Sequence, residues 1–274
     1  MKFHFISGLP RSGSTLTSAL LRQNPRFHAG ITSPLAGLME GIIANVSAGT
    51  EMSSMVTQEQ RARILRGLFE NYYAGLEEEV VFDTNRVWTA RLPALMKLFP
   101  ESKVICLVRS VSWIMDSVER RFRDNIFEHT RLFNSPSERS SVYTRLEALS
   151  HADRLVGMPW HALREACYSD FADRLVLIDY DLLTARPAEV MKLLYEFLGE
   201  EPFAHDFDKV DYDSPVFDNQ LGLDGLHRVH SKVAPRSRKT ILPPDLFQRY
   251  AKMSFWHELP DSAAFRIVAE NKSA

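Results

Sequence analysis

The stretch FHFISGLPRSGST at positions 3–15 contains an apolar run, a loop with two glycines and the start of an amphipathic segment. Gly8 and Gly13 are five positions apart, the spacing of loops that wrap backbone amides around a phosphate before a helix begins. The nucleotide-hydrolase form of this loop has a lysine where Ser14 stands here. Arg11, inside the loop, can donate two parallel hydrogen bonds to one phosphate group. The alternative is a glycine turn in which Ser14 only caps the helix. The residues predicted to bind the anion are Arg11, Ser12, Gly13, Ser14 and Thr15.

Beyond this loop, short apolar runs rich in β-branched residues alternate with longer stretches that have helical spacing. Strands joined by helical crossovers predict an α/β fold of three layers, P-loop-like, with a mainly parallel central sheet flanked by helices. Ligands of such sheets bind at the carboxyl ends of the strands. The predicted strands are 3–6, 80–82, 104–108 and 175–178, and the predicted helices are 15–22, 34–46, 58–73, 89–99, 112–123, 145–155, 161–171 and 187–198.

The composition indicates an ordinary globular protein, with 45% hydrophobic and 25% charged residues among 274. The formal net charge of −2 gives no global attraction to nucleic acid or to an anionic membrane, so neither is an expected partner. We find no repeat or linker, which predicts a single domain over 1–274. No apolar stretch approaches the ~20 residues of a membrane span. Cys106 and Cys167 lie in core-type segments and no signal peptide is evident, so we expect a cytoplasmic protein.

A second set of candidate anion ligands follows the predicted strand 104–108. Arg109 ends this strand, Ser117 comes eight residues later and Arg121 four beyond that. In a helix that begins near Ser112, the hydroxyl and the second guanidinium share one face. Arg109 needs a partner because it ends a buried strand. Two guanidiniums and a hydroxyl would suit a phosphate dianion.

These motifs resemble those of the sulfotransferases that use 3′-phosphoadenosine 5′-phosphosulfate (PAPS). Residues 9–15 resemble the family's 5′-phosphosulfate loop, and Arg109 with Ser117 resembles its 3′-phosphate motif. The stretch IDYDL at 178–182 is similar to a later strand–helix segment, and the nearest members by pattern are bacterial ones similar to the tyrosylprotein branch. The resemblance implies a sulfotransferase-like domain that moves a sulfuryl group from PAPS to a hydroxyl acceptor by in-line displacement, releases PAP and requires no metal.

The resemblance also implies two further nucleotide contacts. Tyr180 would pack near the adenine, and Lys232, within GLHRVHSKV at 225–233, would lie over the nucleotide. Physical chemistry independently favours such a ligand, because a nucleoside 3′,5′-bisphosphate needs two anion sites and the chain offers two. Sulfuryl transfer also requires cations at the leaving phosphate and a base for the attacking hydroxyl.

The chain departs from the family at the lysine that contacts the leaving group. That position is Thr84 here. Arg86, two residues on, is our candidate to offset the leaving-group charge, and Arg11 is the reserve. The alternative is that Arg86 pairs with Asp83 and only caps the following helix.

The general base is a second departure. The glutamate of the tyrosylprotein branch aligns with Thr32, which is not a base. Asp83 and Glu40 rank together as candidates, and His28 is a third.

Two other functions stay open at this stage. A small-molecule kinase with the same scaffold would need the loop lysine and an acidic magnesium site, whereas Ser14 replaces that lysine. A non-catalytic PAP- or PAPS-binding protein of the same fold would fit Thr84 and the missing glutamate. The acceptor could be a small molecule, a carbohydrate or a peptide tyrosine, and the sequence does not indicate an oligomeric state.

Overall fold

The computed structural model describes residues 1–124, 132–220, 227–229 and 232–269, and a parallel β-sheet runs through their centre. The strands lie side by side in the order β2-β3-β1-β4-β5-β6, and every neighbouring pair is parallel. This confirms the predicted α/β fold with its mainly parallel sheet. The sequence prediction missed β2 and β6, because three residues are too few to show a periodic pattern. In chain order the strands are β1 (Lys2–Gly8), β2 (Phe27–Ala29), β3 (Val80–Thr84), β4 (Val104–Val108), β5 (Leu175–Asp179) and β6 (Phe265–Ile267).

Helices connect the strands and cover the sheet. The helix predicted over 89–99 is divided into a 3₁₀ turn at Thr89–Arg91 and a helix whose first turn holds Pro93, a residue suited to that position. None of the helices in the described ranges is long and apolar enough to cross a membrane. The α-helices are α1 (Ser14–Leu21), α2 (Leu35–Val46), α3 (Gln58–Tyr72), α4 (Leu92–Leu98), α5 (Val111–Asp124), α6 (Pro136–Arg139), α7 (Val142–Ser150), α8 (Gly157–Ala166), α9 (Tyr180–Ala185), α10 (Pro187–Leu198), α11 (Pro215–Gln220) and α12 (Pro244–Ala251).

Each face of the sheet has its own apolar core. Phe3 and Phe5 of β1 belong to the core that includes residues of α3 and α4, whereas Ile6 belongs to the core that includes residues of α1 and α10. This division follows from the alternation of side chains along a strand. Because both faces are covered, the ends of the strands are left as the places where a ligand can reach the sheet.

His4, on β1, is a buried histidine that forms no ion pair within the described part of the chain. Its Nδ1 accepts a hydrogen bond from the backbone N–H of Lys103 (3.0 Å), and its Nε2 has no hydrogen-bond partner among the described residues. Burial, reinforced by the positive charges of Lys2 and Lys103, lowers the pKa of His4 from 6.5 to about 3. The imidazole is therefore neutral in the folded protein.

This histidine should make the protein sensitive to acid. Between pH 6.5 and pH 3 the unfolded chain binds a proton that the folded chain does not, so stability rises with pH and is lost as pH falls. At pH 5 the loss amounts to about 2 kcal/mol relative to pH 7.5. His4→Asn keeps an acceptor for the Lys103 N–H and should remove this loss, as measured by urea unfolding at both pH values.

His151→Asn, which removes an exposed imidazole, is the matched control. This control variant should show the same difference in the free energy of unfolding between the two pH values as the wild type. A His4→Asn variant that loses as much stability in acid as the wild type would show that His4 does not cause the sensitivity.

Candidate active site

Residues 8–13 form a loop between β1 and α1 whose backbone is held in an unusual shape. Gly8, Arg11 and Gly13 have positive φ angles of 106°, 57° and 98°. At Gly8 a Cβ would lie 2.2 Å from the Leu107 carbonyl oxygen, so a side chain cannot be accommodated. Gly13 is the N-cap of α1 and no side chain caps this helix, which differs from the alternative of a Ser14 cap. The first N–H groups of α1 lack intrahelical partners, and such groups together with the helix dipole can bind an anion.

Ser12 fastens this loop to the sheet. Its buried hydroxyl contacts the carbonyl oxygens of Leu9 and Leu107, the latter at 3.0 Å. The backbone N–H of Leu9 also donates to the Leu107 carbonyl (2.8 Å). The Ser12 side chain is thus committed to the loop itself, and its backbone N–H is the group it can offer to an anion.

The two predicted anion sites meet at the carboxyl-terminal ends of the central strands β1 and β4. Arg11 Nε, from the loop, donates to the Ser117 hydroxyl of α5 (3.2 Å). Arg109 Nη1, at the end of β4, donates to the Arg11 carbonyl oxygen (3.5 Å). A single small ligand can therefore contact the loop, the end of β4 and the face of α5.

Several guanidiniums lie close together at this site. Burial, followed by repulsion from Arg121 and Arg109, lowers the pKa of Arg11. Arg109 Nε is buried and makes no hydrogen bond within the described ranges, and its distance to the exposed Asp181 carboxylate (Oδ1) is 3.9 Å. Guanidiniums that repel one another in this way favour a ligand with two negative charges.

Arg238 also belongs to this cluster, although the sequence analysis did not identify it. Asp116, fully buried on α5, lies 2.8 Å from Arg238 Nη2 and accepts hydrogen bonds from the Thr240 hydroxyl (3.0 Å) and the Ile241 N–H (2.8 Å). Burial lowers the pKa of Arg238. The negative charge of Asp116 opposes this decrease, and the positive charge of Arg109 adds to it. The basic run RSRK at 236–239 was the available signal, but it gives no indication of contact with α5.

Tyr180 packs between the loop and Arg109. The Arg109 guanidinium carbon lies 4.3 Å from the centre of the Tyr180 ring, and a Cβ on Gly13 would lie 2.6 Å from the ring's Cδ2. Asp179 fixes the start of α9 by accepting hydrogen bonds from the N–H groups of Asp181 (2.7 Å) and Leu182 (3.2 Å). This cap holds the aromatic ring against the candidate anion site.

Arg86 follows β3 beside the loop. Its carbonyl oxygen accepts a hydrogen bond from Ser7 (3.1 Å), the residue before Gly8. Although the side chain is accessible to solvent, surrounding protein atoms desolvate the guanidinium and lower its pKa. No hydrogen bond or ion pair of this guanidinium occurs within the part of the chain that the structure describes. The alternative pairing with Asp83 is absent there, which leaves Arg86 available to an anion.

The two carboxylates considered as general bases, Asp83 and Glu40, differ in burial and in bonding partners. Asp83 is fully buried and accepts hydrogen bonds from the Tyr73 hydroxyl (2.6 Å) and the Trp88 indole N–H (2.8 Å). The exposed Glu40 forms an ion pair with Arg91.

Three more positions singled out in the sequence have other partners. His28 Nδ1 lies 3.8 Å from the Glu78 carboxylate. The Thr84 hydroxyl donates to the Gly30 carbonyl (2.7 Å). Lys232 is exposed and pairs with Asp208 (2.8 Å), and no described contact brings it to the loop. Part of the stretch 225–233, which holds Lys232, lies outside the described residues.

The structure resembles several solved sulfotransferases. One is the sulfotransferase domain of the Synechococcus PCC 7002 olefin synthase, with 18% identity, a TM-score of 0.53 and coverage of 92% of this chain and 94% of that one. Another is the sulfotransferase domain from the curacin biosynthetic pathway, with 16% identity, a TM-score of 0.50 and coverage of 94% and 91%. A third is a sulfotransferase from Alicyclobacillus acidocaldarius, with 17% identity, a TM-score of 0.50 and coverage of 80% and 89%. At these identities the likeness establishes the fold.

The sequence itself provides the evidence for a family. No match is found among functionally curated proteins. The model of the sulfotransferase family, Sulfotransfer_3, matches residues 4–205, a range that includes the loop, Arg109, Ser117 and Tyr180. This chain therefore belongs to the sulfotransferase family.

Proposed function

We propose that this protein is a PAPS-dependent sulfotransferase that transfers the sulfuryl group to a hydroxyl-bearing acceptor. The observation that supports the proposal is the hydrogen bond of Arg11 Nε to the Ser117 hydroxyl (3.2 Å), because it joins the two proposed anion sites at the carboxyl-terminal end of the sheet. A nucleoside with phosphate groups at the 3′ and 5′ positions of its ribose requires two adjacent anion sites.

The residues present fit this donor. The N-terminus of α1 and the loop amides would hold the 5′-phosphosulfate, whereas Arg109, Ser117 and Arg121 would hold the 3′-phosphate. Repulsion among Arg11, Arg109 and Arg121 supports a bisphosphate, since the ligand's negative charge would relieve it. Tyr180 would contact the adenosine. We add Arg238 to the 3′-phosphate site.

In the proposed reaction, PAPS supplies an activated sulfuryl group. The chain's own residues bind the donor, orient it and stabilise the charge that develops on the leaving phosphate. The α1 amides and Arg11 would serve this purpose. Arg86, which has no carboxylate partner in the described ranges, would replace the family lysine whose position is Thr84. Such preorganised donors usually provide the largest part of catalysis in transfer reactions.

We further propose one domain over 1–274 and a cytoplasmic location. Two observations support these proposals. β1 and β6, near the two ends of the described chain, belong to one sheet. Cys106 and Cys167 are both free and buried, as expected in a reducing compartment.

Calorimetric titration with PAP tests the donor site. We expect the same affinity with and without a metal chelator, because the proposed ligands are guanidiniums, hydroxyls and amides. A kinase should instead prefer ATP with magnesium and lose nucleotide binding on chelation.

Incubation with radiolabelled PAPS and hydroxyl acceptors then tests transfer. The panel would include 2-naphthol, a tyrosine peptide and a carbohydrate. A labelled acceptor supports the sulfotransferase, whereas tight PAP binding without turnover would identify a non-catalytic binder.

A further inference from the structure

Asp116 is a fully buried carboxylate on α5 that collects contacts from a segment much later in the chain. Its Oδ1 lies 2.8 Å from Arg238 Nη2 and accepts a hydrogen bond from Arg120 Nε (2.9 Å). Its Oδ2 accepts hydrogen bonds from the Thr240 hydroxyl (3.0 Å) and the Ile241 N–H (2.8 Å). Burial raises the pKa of Asp116, but the hydrogen bonds from Arg120, Ile241 and Thr240 outweigh this effect and lower it overall. The carboxylate is therefore ionised at neutral pH.

These contacts fasten residues 238–241 across one face of α5. On the same face, Arg120 Nη2 donates to the Lys239 carbonyl oxygen (2.5 Å). α12 comes next in the chain, and its Phe247 packs edge-on against Trp113 of α5, with 5.1 Å between the ring centroids. The segment lies beyond residue 205, where the match to the family model ends. One buried carboxylate thus fixes the path of a segment that the family match does not include.

The Arg238 guanidinium lies beside the turn of α5 that carries Ser117. Its Nη2 donates to the Trp113 carbonyl oxygen (3.5 Å), and its carbon lies 5.4 Å from the centre of the Trp113 ring. Trp113 and Ser117 are four residues apart, so they lie on the same face of the helix. The Ser117 hydroxyl in turn accepts the hydrogen bond from Arg11 (3.2 Å) that joins the two proposed anion sites. The ion pair with Asp116 therefore keeps Arg238 next to the proposed 3′-phosphate site.

We propose that Asp116 is a positioning residue that holds Arg238 in place to bind the 3′-phosphate of the donor, so that the protein selects nucleotides with this group. This inference rests on the proposed function, because it assumes that Ser117 belongs to the 3′-phosphate site. Asp116 is fully buried and would not contact the nucleotide itself. Arg238 remains accessible to a ligand, since 35% of its side chain is exposed.

The positioning role explains why a carboxylate lies so close to a site for an anion. By its charge alone Asp116 would weaken the binding of a phosphate. A guanidinium that is already fixed in one position, however, loses less conformational entropy when it binds phosphate than a mobile one does. The contribution of Asp116 is therefore the fixed position of Arg238 rather than the local electrostatic potential.

The test compares the affinities for PAP and for adenosine 5′-phosphate, which lacks the 3′-phosphate, by titration calorimetry. We expect Asp116→Asn to lower the preference for PAP about 10-fold, the effect of losing one well-placed hydrogen bond to a charged group. The affinity for adenosine 5′-phosphate should not fall. Because this variant removes a negative charge, its electrostatic effect alone would strengthen phosphate binding, and a weaker PAP complex therefore reports the lost position of Arg238. An unchanged preference in Asp116→Asn overturns the inference.

A double variant separates positioning from a merely structural role. Arg238→Ala should lower the preference for PAP by a similar factor, and adding Asp116→Asn to it should cause no further loss, because the two residues act through one contact. Losses that multiply, or an unchanged preference in Arg238→Ala, overturn the inference. Arg238→Ala removes a partly exposed side chain, so it keeps the test decisive even where Asp116→Asn does not fold.

Glu119→Gln is the matched control, because Glu119 is a second buried carboxylate on α5 and is held by Arg145 (2.6 Å). This variant should lower the free energy of unfolding in urea and keep the wild-type preference for PAP. An equal loss of preference in Glu119→Gln and Asp116→Asn would indicate a general disturbance of α5 and overturn the inference. Wild-type protein without any preference for PAP would contradict the proposed donor site itself, whereas a preference that survives in Asp116→Asn contradicts only the positioning role.

Discussion

Arg109→Ala is expected to weaken PAP binding about 10- to 150-fold, the equivalent of the 1.5–3 kcal/mol of hydrogen bonds to a charged group. The affinity for adenosine 5′-phosphate, which lacks the 3′-phosphate, should change little. The reason is the position of Arg109, which donates to the carbonyl oxygen of Arg11, the residue that contacts Ser117 in the proposed 3′-phosphate site. Titration calorimetry with the two nucleotides measures the difference directly.

Two further variants separate this effect from loss of charge alone. Arg109→Lys keeps the charge but not the planar fork, and should lie between the wild type and Arg109→Ala. Arg186→Ala removes an exposed guanidinium that pairs with Glu189 and should leave both affinities unchanged. Equal losses for the two nucleotides in Arg109→Ala would place this arginine outside the 3′-phosphate site.

Glu119→Ala should lower the free energy of unfolding by about 3–5 kcal/mol, because it leaves a buried guanidinium without its counter-charge. Both Glu119 oxygens accept hydrogen bonds from Arg145 (2.6 and 2.8 Å), and the carboxylate is only 1% exposed. This pair joins α7 to α5, the helix that carries Ser117. Urea unfolding at neutral pH measures the loss.

The exposed pair of Arg66 and Glu70 on α3 provides the matched control. Both side chains of this pair are more than half exposed, so Glu70→Ala should cost at most about 0.5 kcal/mol. Similar losses in Glu119→Ala and Glu70→Ala would mean that the buried pair contributes no more than a surface one.

Much of the fold was predictable because its signals are local. The apolar runs that became β3, β4 and β5 are continuous, as expected for strands covered on both faces. The glycine spacing of the loop reflects backbone angles that few other residues adopt. Ser117 and Arg121 share a helix because the pattern after Arg109 is helical over one continuous stretch.

The sequence by itself therefore determined the α/β architecture, the glycine-containing loop between β1 and α1 and the family, since each depends largely on local patterns of residues. Only the tertiary structure decided which charges have partners. It gave Asp83 two neutral hydrogen-bond donors, Tyr73 and Trp88, left Arg86 without a carboxylate in the described ranges, and brought Arg238 to α5 through Asp116. Which charged residues pair depends on how segments distant in the sequence pack together, and no local pattern of residue types shows this packing.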